Sequence, residues 1–209
     1  MVIKTRARSE SAKEERRNQL LAVARELFLQ RDMNFSMLEV AQAAGLAKGT
    51  SYLYFATKEE LLLELLRQEL EAWFSELQTI LERPKNLAAQ LSKSISSREI
   101  LVGLLAVQVS ILEHNLSFEA ALKFKTFLLE QSIAVIPKLE QVFPNTSGLE
   151  ILQTLNALVI GLAQMSRPVG TMQEVLKRPE ISALHVLFAT ALEHSLTTLF
   201  RGLEHQGEP

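Results

Sequence analysis

The sequence predicts an all-α fold, and three observations support this prediction. Apolar residues recur at helical spacing along the chain, and no segment alternates between apolar and polar residues beside a hairpin turn. Glycine (8) and proline (6) are scarce, and those that stand between periodic segments, such as Gly45 and Pro84, mark places where helices end. With 209 residues, 47% of them hydrophobic, the chain is long enough for a small domain joined to a larger one.

Three short helices are predicted in the N-terminal quarter. The first begins at a capping box formed by Ser11 and Glu14. The second follows Ser36 as N-cap, and Gly45 stands where its C-terminus needs a left-handed residue. A third helix, through Phe55, begins only about three residues later, which is the arrangement of a helix-turn-helix.

The remainder is predicted to form longer helices that begin at polar caps. Thr57 and Glu60 form a second capping box, which opens a long helix from Lys58 to about Glu82. Further helices are expected over 98–115 and from Ser117, the latter with a kink or an end at Pro137. Another is expected over 149–165, after a capping box formed by Ser147 and Glu150. A short helix from Thr171 and a last helix over 182–204 complete the prediction. We therefore divide the chain into an N-terminal helix-turn-helix domain, residues 1–57, and a larger C-terminal helical domain, residues 58–209.

Charge is distributed unevenly between these two parts. Residues 1–58 carry ten Lys or Arg against six Asp or Glu, a net of +4, whereas residues 59–209 carry twelve against eighteen, a net of −6. This asymmetry predicts a polyanionic partner at the N-terminal end. The basic residues Lys4, Arg6 and Arg8 are either a flexible arm that follows the DNA or a solvated tail.

The third helix has the chemistry expected of a helix that lies in the DNA major groove. Lys48 and Thr50 lie at its N-terminus, where backbone N–H groups and the helix dipole favour phosphate. Gly49 lets the backbone approach the duplex closely. Tyr52 and Tyr54 offer hydroxyls for phosphate and rings for thymine methyls, while the neighbouring apolar residues Leu53 and Phe55 are expected in the core.

These residues belong to a run, 42–61, that resembles the signature of TetR-family transcriptional regulators, and residues 21–28 resemble the family's first helix. The resemblance implies an Ω-like homodimer with two DNA-reading heads, whose C-terminal domain binds an inducer. It also implies that Ser36 caps the second helix and touches phosphate, and that Tyr54 and Lys58 hold backbone phosphates of a double-stranded operator.

Three residues depart from the family pattern. Ala47 replaces a common Ser and loses a helix cap, Ser51 replaces a buried Leu or Ile, and Leu38 stands where some relatives carry a base-reading Arg. We therefore expect the operator to be read mostly by the third helix and through DNA shape.

The C-terminal domain is expected to hold an apolar inducer pocket with a few polar groups, and to form the dimer through its last two long helices. Those helices are apolar over more than one face, so each could pack both inside its protomer and across a two-fold axis. The residues expected at the pocket are Trp73, Leu105, Gln108, Val109, Leu112, Phe124, Phe127 and Asn156. Those expected at the dimer interface are Leu155, Leu158, Leu162, Phe188, Leu192 and Leu196.

Other classes of protein fit less well. An all-helical enzyme would need a nucleophile elbow, a glycine-rich phosphate loop or clustered histidines, and the sequence offers none, so we expect no catalysis, cofactor or metal site. An architectural DNA-binding or adaptor protein without an inducer remains an alternative. The absence of cysteine suits a reducing cytoplasm, and no secretory signal or membrane span is expected.

Overall fold

The computed structural model describes the backbone of residues 2–109 and 111–204, and side chains from residue 10 onward within those ranges. In this part of the chain there are ten α-helices and two 3₁₀ helices, and no strand, which confirms the all-α prediction. The α-helices are α1 (Val2–Arg31), α2 (Met37–Ala43), α3 (Lys48–Ser51), α4 (Lys58–Glu82), α5 (Leu87–Ser96), α6 (Glu99–Val107), α7 (Phe118–Val142), α8 (Gly148–Ser166), α9 (Thr171–Val175) and α10 (Phe188–Glu204). The 3₁₀ helices cover Leu112–Asn115 and Pro179–Leu184.

Helices α1, α2 and α3 form the head of the molecule. Leu20, Ala24 and Phe28 lie one turn apart on α1 and are buried, so this stripe forms the head's core. Gln19 Nε2 donates to the carbonyl of Ala44 across 3.0 Å and holds the end of α2 against α1. The head rests on α4, against which α1 packs, and also contacts α6.

Helices α4 to α10 form the body. α4 packs on α7, α7 and α6 both pack on α8, and α10 lies against α5 and α8. Phe143 stacks on Phe200 with ring centroids 5.1 Å apart, and Ser92 Oγ donates to the carbonyl of Ala189 across 2.9 Å. These contacts close one core around the middle of α4.

The predicted start of the first helix is wrong. α1 begins at Val2 and passes through Ser11 and Glu14, so these residues form no N-terminal cap. The residues expected as a flexible arm belong to the backbone of this helix, and their side chains lie outside the described part of the chain.

Several predicted boundaries in the body also differ. The helix expected over 98–115 ends at Val107, and α5 was not predicted. Ser147 makes no side-chain cap; the amide of Gly148 instead donates to Glu140 Oε1 across 3.1 Å. Pro137 lies inside α7 without ending it, and the last helix begins at Phe188 rather than Ser182.

Helix α8 differs from the other helices because it is apolar but only partly buried by the rest of its own chain. Among the described residues it is the one helix whose length and hydropathy would suffice to cross a membrane, which is weak evidence, since core helices meet the same criterion. Only 28% of it is buried in the single chain, although it packs on α6, α7 and α10. An apolar face of α8 therefore remains uncovered by its own protomer.

Candidate DNA-binding surface and ligand cavity

The helix-turn-helix presents one exposed face. α2 and α3 are joined by a turn in which Gly45 has φ 66°, a conformation that glycine adopts without cost. Lys48 and Gly49 are exposed at the start of α3, and a side chain added at Gly49 would meet no atom within 4 Å. Thr50 is half-buried and Tyr52 is exposed on the same short segment. The predicted DNA-binding residues Lys48, Gly49 and Tyr52 are thus exposed and Thr50 is partly so, and their contact with DNA stays a prediction.

The assignments of Leu53 and Tyr54 are reversed in the structure. Leu53, expected in the core, is 83% exposed, whereas Tyr54, expected to face DNA, is half-buried against the core and lines a cleft between head and body. The reason is that α3 ends at Ser51, so the helical period does not extend to these residues. Phe55 is buried as predicted.

Ser51 is fully buried, at the position where the family pattern has an apolar residue. Its hydroxyl donates to the carbonyl of Lys48 across 2.8 Å, so the buried polar group is satisfied within its own turn. Ala47 is the N-cap of α3 and makes no side-chain hydrogen bond, as the sequence predicts.

Lys58 has a different role from the predicted phosphate contact. Its ammonium donates to the carbonyls of Met33 and Phe35 across 2.9 and 3.0 Å, and it lies 5.3 Å from the centroid of the Phe35 ring. These bonds tie the first turn of α4 to the turn between α1 and α2. Lys58 therefore couples head to body through its two hydrogen bonds.

Ser36 caps α2 as predicted, and it does so within a full capping box. Its Oγ accepts from the amide of Glu39, and the Glu39 carboxylate accepts from the Ser36 amide across 2.8 Å. The hydrogen bonds from the Ser36 backbone and side chain, together with the charge of Arg31, lower the pKa of Glu39 below its usual value. A carboxylate beside Ser36 disfavours phosphate there, although Arg31 pairs with it across 3.0 Å.

The body contains a cavity of about 220 Å³, somewhat below the range of roughly 300–1,000 Å³ found for small-molecule pockets. Most of its wall is apolar, and five helices of the body, α4 to α8, contribute to it. The wall residues are Leu70, Trp73, Phe74, Ile95, Leu101, Leu105, Gln108, Lys125, Leu128, Ser132, Leu149, Leu152, Gln153, Leu155, Asn156 and Val159.

Four of the eight predicted pocket residues line this cavity: Trp73, Leu105, Gln108 and Asn156. The other four do not. Val109 is 52% exposed because α6 has already ended, and the rest are buried elsewhere in the core: Leu112, Phe124 and Phe127. Sequence reasoning missed the contribution of α5, and on α7 it selected Phe124 and Phe127 but missed Lys125 and Ser132.

One side of the cavity wall is polar. Gln108, only 6% exposed, donates through Nε2 to Glu113 Oε1 across 3.1 Å, and Lys125 Nζ reaches the same oxygen at 2.9 Å. Burial raises the pKa of Glu113, but the hydrogen bonds from Lys125 and Gln108 and nearby positive charge outweigh it, so the pKa lies below its usual value. Glu113 itself belongs to the 3₁₀ helix Leu112–Asn115 and does not line the cavity.

Sequence profiles of two known domains cover nearly the whole chain. Residues 20–65 match the profile described as "Bacterial regulatory proteins, tetR family", and residues 67–207 match "Tetracyclin repressor-like, C-terminal domain". The second match alone spans more than half of the chain. The chain belongs to the TetR family. It is a DNA-binding transcriptional regulator, and its family consists of regulators rather than enzymes.

Solved structures of other TetR-like proteins share the fold at low sequence identity. RolR in complex with resorcinol is 19% identical, with 96% of this chain and 98% of that chain covered and a TM-score of 0.55. NemR from E. coli, in its reduced form, is 20% identical over 88% and 96% of the two chains, with a TM-score of 0.57. NalD from Pseudomonas aeruginosa is 23% identical over 92% and 97%, with a TM-score of 0.52. None of the curated proteins matches the chain significantly in sequence.

The dimer residues predicted for this TetR-family chain divide into two sets. Leu155, Leu192 and Leu196 are 3%, 0% and 0% exposed in the single protomer, so they belong to its own core and cannot meet a partner. Three others are half-buried at the edge of that core: Leu158, Leu162 and Phe188. Among the described residues, no group of three or more His, Asp or Glu side chains is arranged to hold a metal ion.

Proposed function

We propose that this TetR-family protein is a homodimeric repressor that a small molecule releases from its operator. One observation carries the proposal: α4 belongs to both functional regions. Its first turn holds the head through Lys58, and its middle forms cavity wall through Leu70, Trp73 and Phe74. Lys58 and Trp73 are 15 positions apart, or roughly 22 Å along a helix axis.

The proposed mechanism follows from the rigidity of that helix. A ligand that fills the cavity favours one position of the middle of α4, and the first turn of α4 carries the head with it. Two heads in a dimer can occupy adjacent major grooves only if they lie about one DNA turn apart, roughly 34 Å. A small displacement of each head therefore weakens operator binding, and by linkage the operator weakens ligand binding by the same factor.

We propose that residues 1–57 act as the reading head and residues 58–209 as the ligand and dimer domain. Because the target is operator DNA, we assign the protein to the cytoplasm. We propose a repressor rather than an activator by analogy with NalD, whose structure is described as that of a secondary repressor of an efflux pump.

The dimer interface is assigned to the uncovered face of α8 with the neighbouring face of α10. Thr154, Ala157, Leu158, Gly161 and Met165 follow one another at helical spacing on α8, and none is buried in the single chain. Burial of this face by a second copy would account for an apolar helix that its own protomer covers so poorly. Small side chains at 157 and 161 would allow close helix approach.

The test is operator binding by the full chain. A labelled DNA fragment from upstream of the protein's own gene is titrated by fluorescence anisotropy, with a scrambled fragment of equal composition as control. Tyr52→Ala should weaken binding to the operator fragment by about tenfold, since each good base contact contributes about 1–3 kcal/mol. Leu129→Ala, an exposed apolar residue of α7, is the matched control. Equal affinity for both fragments at moderate salt would contradict sequence-specific regulation.

The open cavity also separates this proposal from an architectural DNA-binding protein, which would need no ligand space in its body. A fully packed C-terminal core would have favoured that alternative.

A further inference from the structure

The cavity wall contains a carboxylate-binding site that the protein fills with its own side chain. Lys125 and Gln108 both line the cavity, and both donate to a single oxygen of Glu113, which stands outside the wall. Of the described wall residues, Lys125 is the only one that carries a charge. The rest of the wall is mostly apolar, with Trp73 and Phe74 offering aromatic surface.

We propose that the cavity binds an amphipathic anion, a small carboxylic acid in chemical class, whose carboxylate replaces Glu113 on Lys125 and Gln108. The apolar part of such a ligand lies against Trp73 and Phe74, and its head reproduces the two hydrogen bonds that Glu113 now accepts. A cationic ligand finds no carboxylate in the described wall to pair with, and a neutral one leaves the Lys125 charge unused.

Displacement of Glu113 is inexpensive because the pair is accessible to water. The side chains of Lys125 and Glu113 are 59% and 30% exposed, and ion pairs at such positions are weak. A released Glu113 side chain turns into solvent rather than into a core. The ligand carboxylate also accepts from Gln108, which is 6% exposed, and a hydrogen bond in such an enclosed position is stronger than one in water.

The consequence for DNA binding follows from what the Glu113 segment holds. The 3₁₀ helix Leu112–Asn115 contacts α4, and the carbonyl of Asn115 accepts from Thr57 Oγ1 across 3.2 Å. Two positions later, the amide and hydroxyl of Ser117 donate to Glu60 Oε1 across 3.2 and 2.7 Å. Thr57 is the N-cap of α4, next to the helix-turn-helix. We infer that Glu113 acts as a latch, meaning that its bonds to Lys125 and Gln108 hold residues 112–117 in place against the start of α4. An anion that displaces Glu113 would therefore release this segment from α4.

The ligand-class part of this inference stands on the cavity alone, whereas the latch rests on the proposed function. Trp73 is the only tryptophan in the chain and lines the cavity, so its fluorescence reports binding without DNA. Two matched series are titrated into the full-length protein: octanoate, octan-1-ol and octylammonium, then benzoate, benzyl alcohol and benzylammonium. We expect the carboxylate of at least one series to bind about tenfold more tightly than its alcohol, and the ammonium ion to bind weakest.

Variants separate the roles of Lys125 and Glu113. Lys125→Met should weaken the carboxylate about tenfold and leave the alcohol unchanged, whereas Glu113→Gln should strengthen the carboxylate about threefold to fivefold by removing its internal competitor. Lys123→Met, an exposed lysine on α7 outside the cavity wall, is the control and should change neither. The ligand class is overturned if the alcohol or ammonium matches the carboxylate in both series. It is equally overturned if no carboxylate binds below about 10 mM, or if Glu113→Gln weakens the anion.

The latch is tested with the operator fragment. The carboxylate that binds should lower operator affinity of the wild-type protein, and Glu113→Gln should bind the operator more weakly before any ligand is added. Carboxylate binding without any change in operator affinity overturns the latch and leaves the ligand class standing. If the protein fails to prefer any operator fragment, the proposed function fails, and the fluorescence series still decides the ligand class.

Discussion

Arg167 Nη2 donates to Asp32 Oδ2 across 2.9 Å and so joins the C-cap of α8 to the end of α1. Asp32 has φ 54°, in the left-handed region, which Asp adopts more readily than most residues other than glycine. Close by, Gly103 on α6 packs against Phe28 so tightly that an added Cβ would lie 2.8 Å from the ring. The head is therefore held on this side as well as through Lys58.

Loss of the Arg167–Asp32 pair should loosen the head modestly. The side chains are 30% and 45% exposed, so solvent screening limits the effect of Arg167→Met to about 0.5–1 kcal/mol of the free energy of unfolding. Urea denaturation measures this loss. Lys177→Met, which removes an exposed pair within the α9 region, is the control and should have no measurable effect. Equal losses in the two variants would mean that the cross-link to α1 contributes nothing of its own.

Lys48 and Lys58 should give opposite results although both are lysines beside the helix-turn-helix. Lys58→Met removes the ammonium that donates to the Met33 and Phe35 carbonyls, of which the first still accepts from the Phe35 amide. The substitution should lower the free energy of unfolding by about 1–2 kcal/mol and leave the salt dependence of operator binding unchanged. Lys48→Met should leave stability unchanged within about 0.5 kcal/mol and reduce the salt slope by about 1. Salt titrations and urea denaturation of both variants measure the two effects. A reduced slope for Lys58→Met would restore it as a phosphate contact.

The dimer proposal predicts that a charge at Gly161 separates the protomers. A Cβ atom built at this position meets no atom of its own protomer within 4 Å, so we expect Gly161→Glu to fold normally. Across the proposed interface the carboxylate would be buried without a partner, and the dimer dissociation constant should rise at least about a hundredfold. Sedimentation analysis measures this change, with circular dichroism as the folding control. Ala134→Glu on the exposed face of α7 should remain dimeric; a dimeric Gly161→Glu would exclude this face.

The capping box of α2 predicts a stability difference that depends on pH. The folded-state pKa of Glu39 is lowered by hydrogen bonds from Ser36 and by Arg31. The cap therefore stabilises the fold fully above the unfolded-state pKa, about 4.3, and the stabilisation is lost as the pH falls through the lower folded-state value. Glu39→Gln should thus have a lower Tm than the wild type at pH 7, and the gap should narrow as the pH falls below about 4.3, the unfolded-state pKa. Glu26→Gln, at an exposed position on α1, should have no such pH-dependent gap.

The sequence predicts the start of a helix well where a polar side chain caps it. Ser36, Thr57 and Ser117 all accept from an amide three positions later, and the bounds of α4 agree with those predicted. α5 escapes prediction because its N-cap, Asn86, has φ 50° and makes no side-chain bond. Its apolar stripe alone does not say where the helix begins.

The candidate sites are less predictable because they depend on which face of a helix is covered. α3 ends at Ser51. A prediction that continues the helical period beyond this residue places Leu53 in the core and Tyr54 at the surface, which is the reverse of what the structure has. α8 and α10 are apolar on more than one side, so the pattern does not distinguish the protomer core at Leu155 from a surface for a partner. The polar wall at Lys125 lies where separate helices meet, and single-helix patterns contain no such information.

The tie between Lys58 and the turn before α2 sets a limit on how this protein can be divided. A fragment that stops at residue 57 would lose that ammonium, and it would also lose Glu64, which pairs with Arg17 of α1 across 3.0 Å. Residues 1–57 alone therefore lack contacts that stabilise the head. A chimera that transplants it onto another body must carry the first two turns of α4, and the N-terminal family profile likewise extends to residue 65. Exchange of operator specificity between relatives is therefore expected to succeed at a junction inside α4 and to fail at the loop before it.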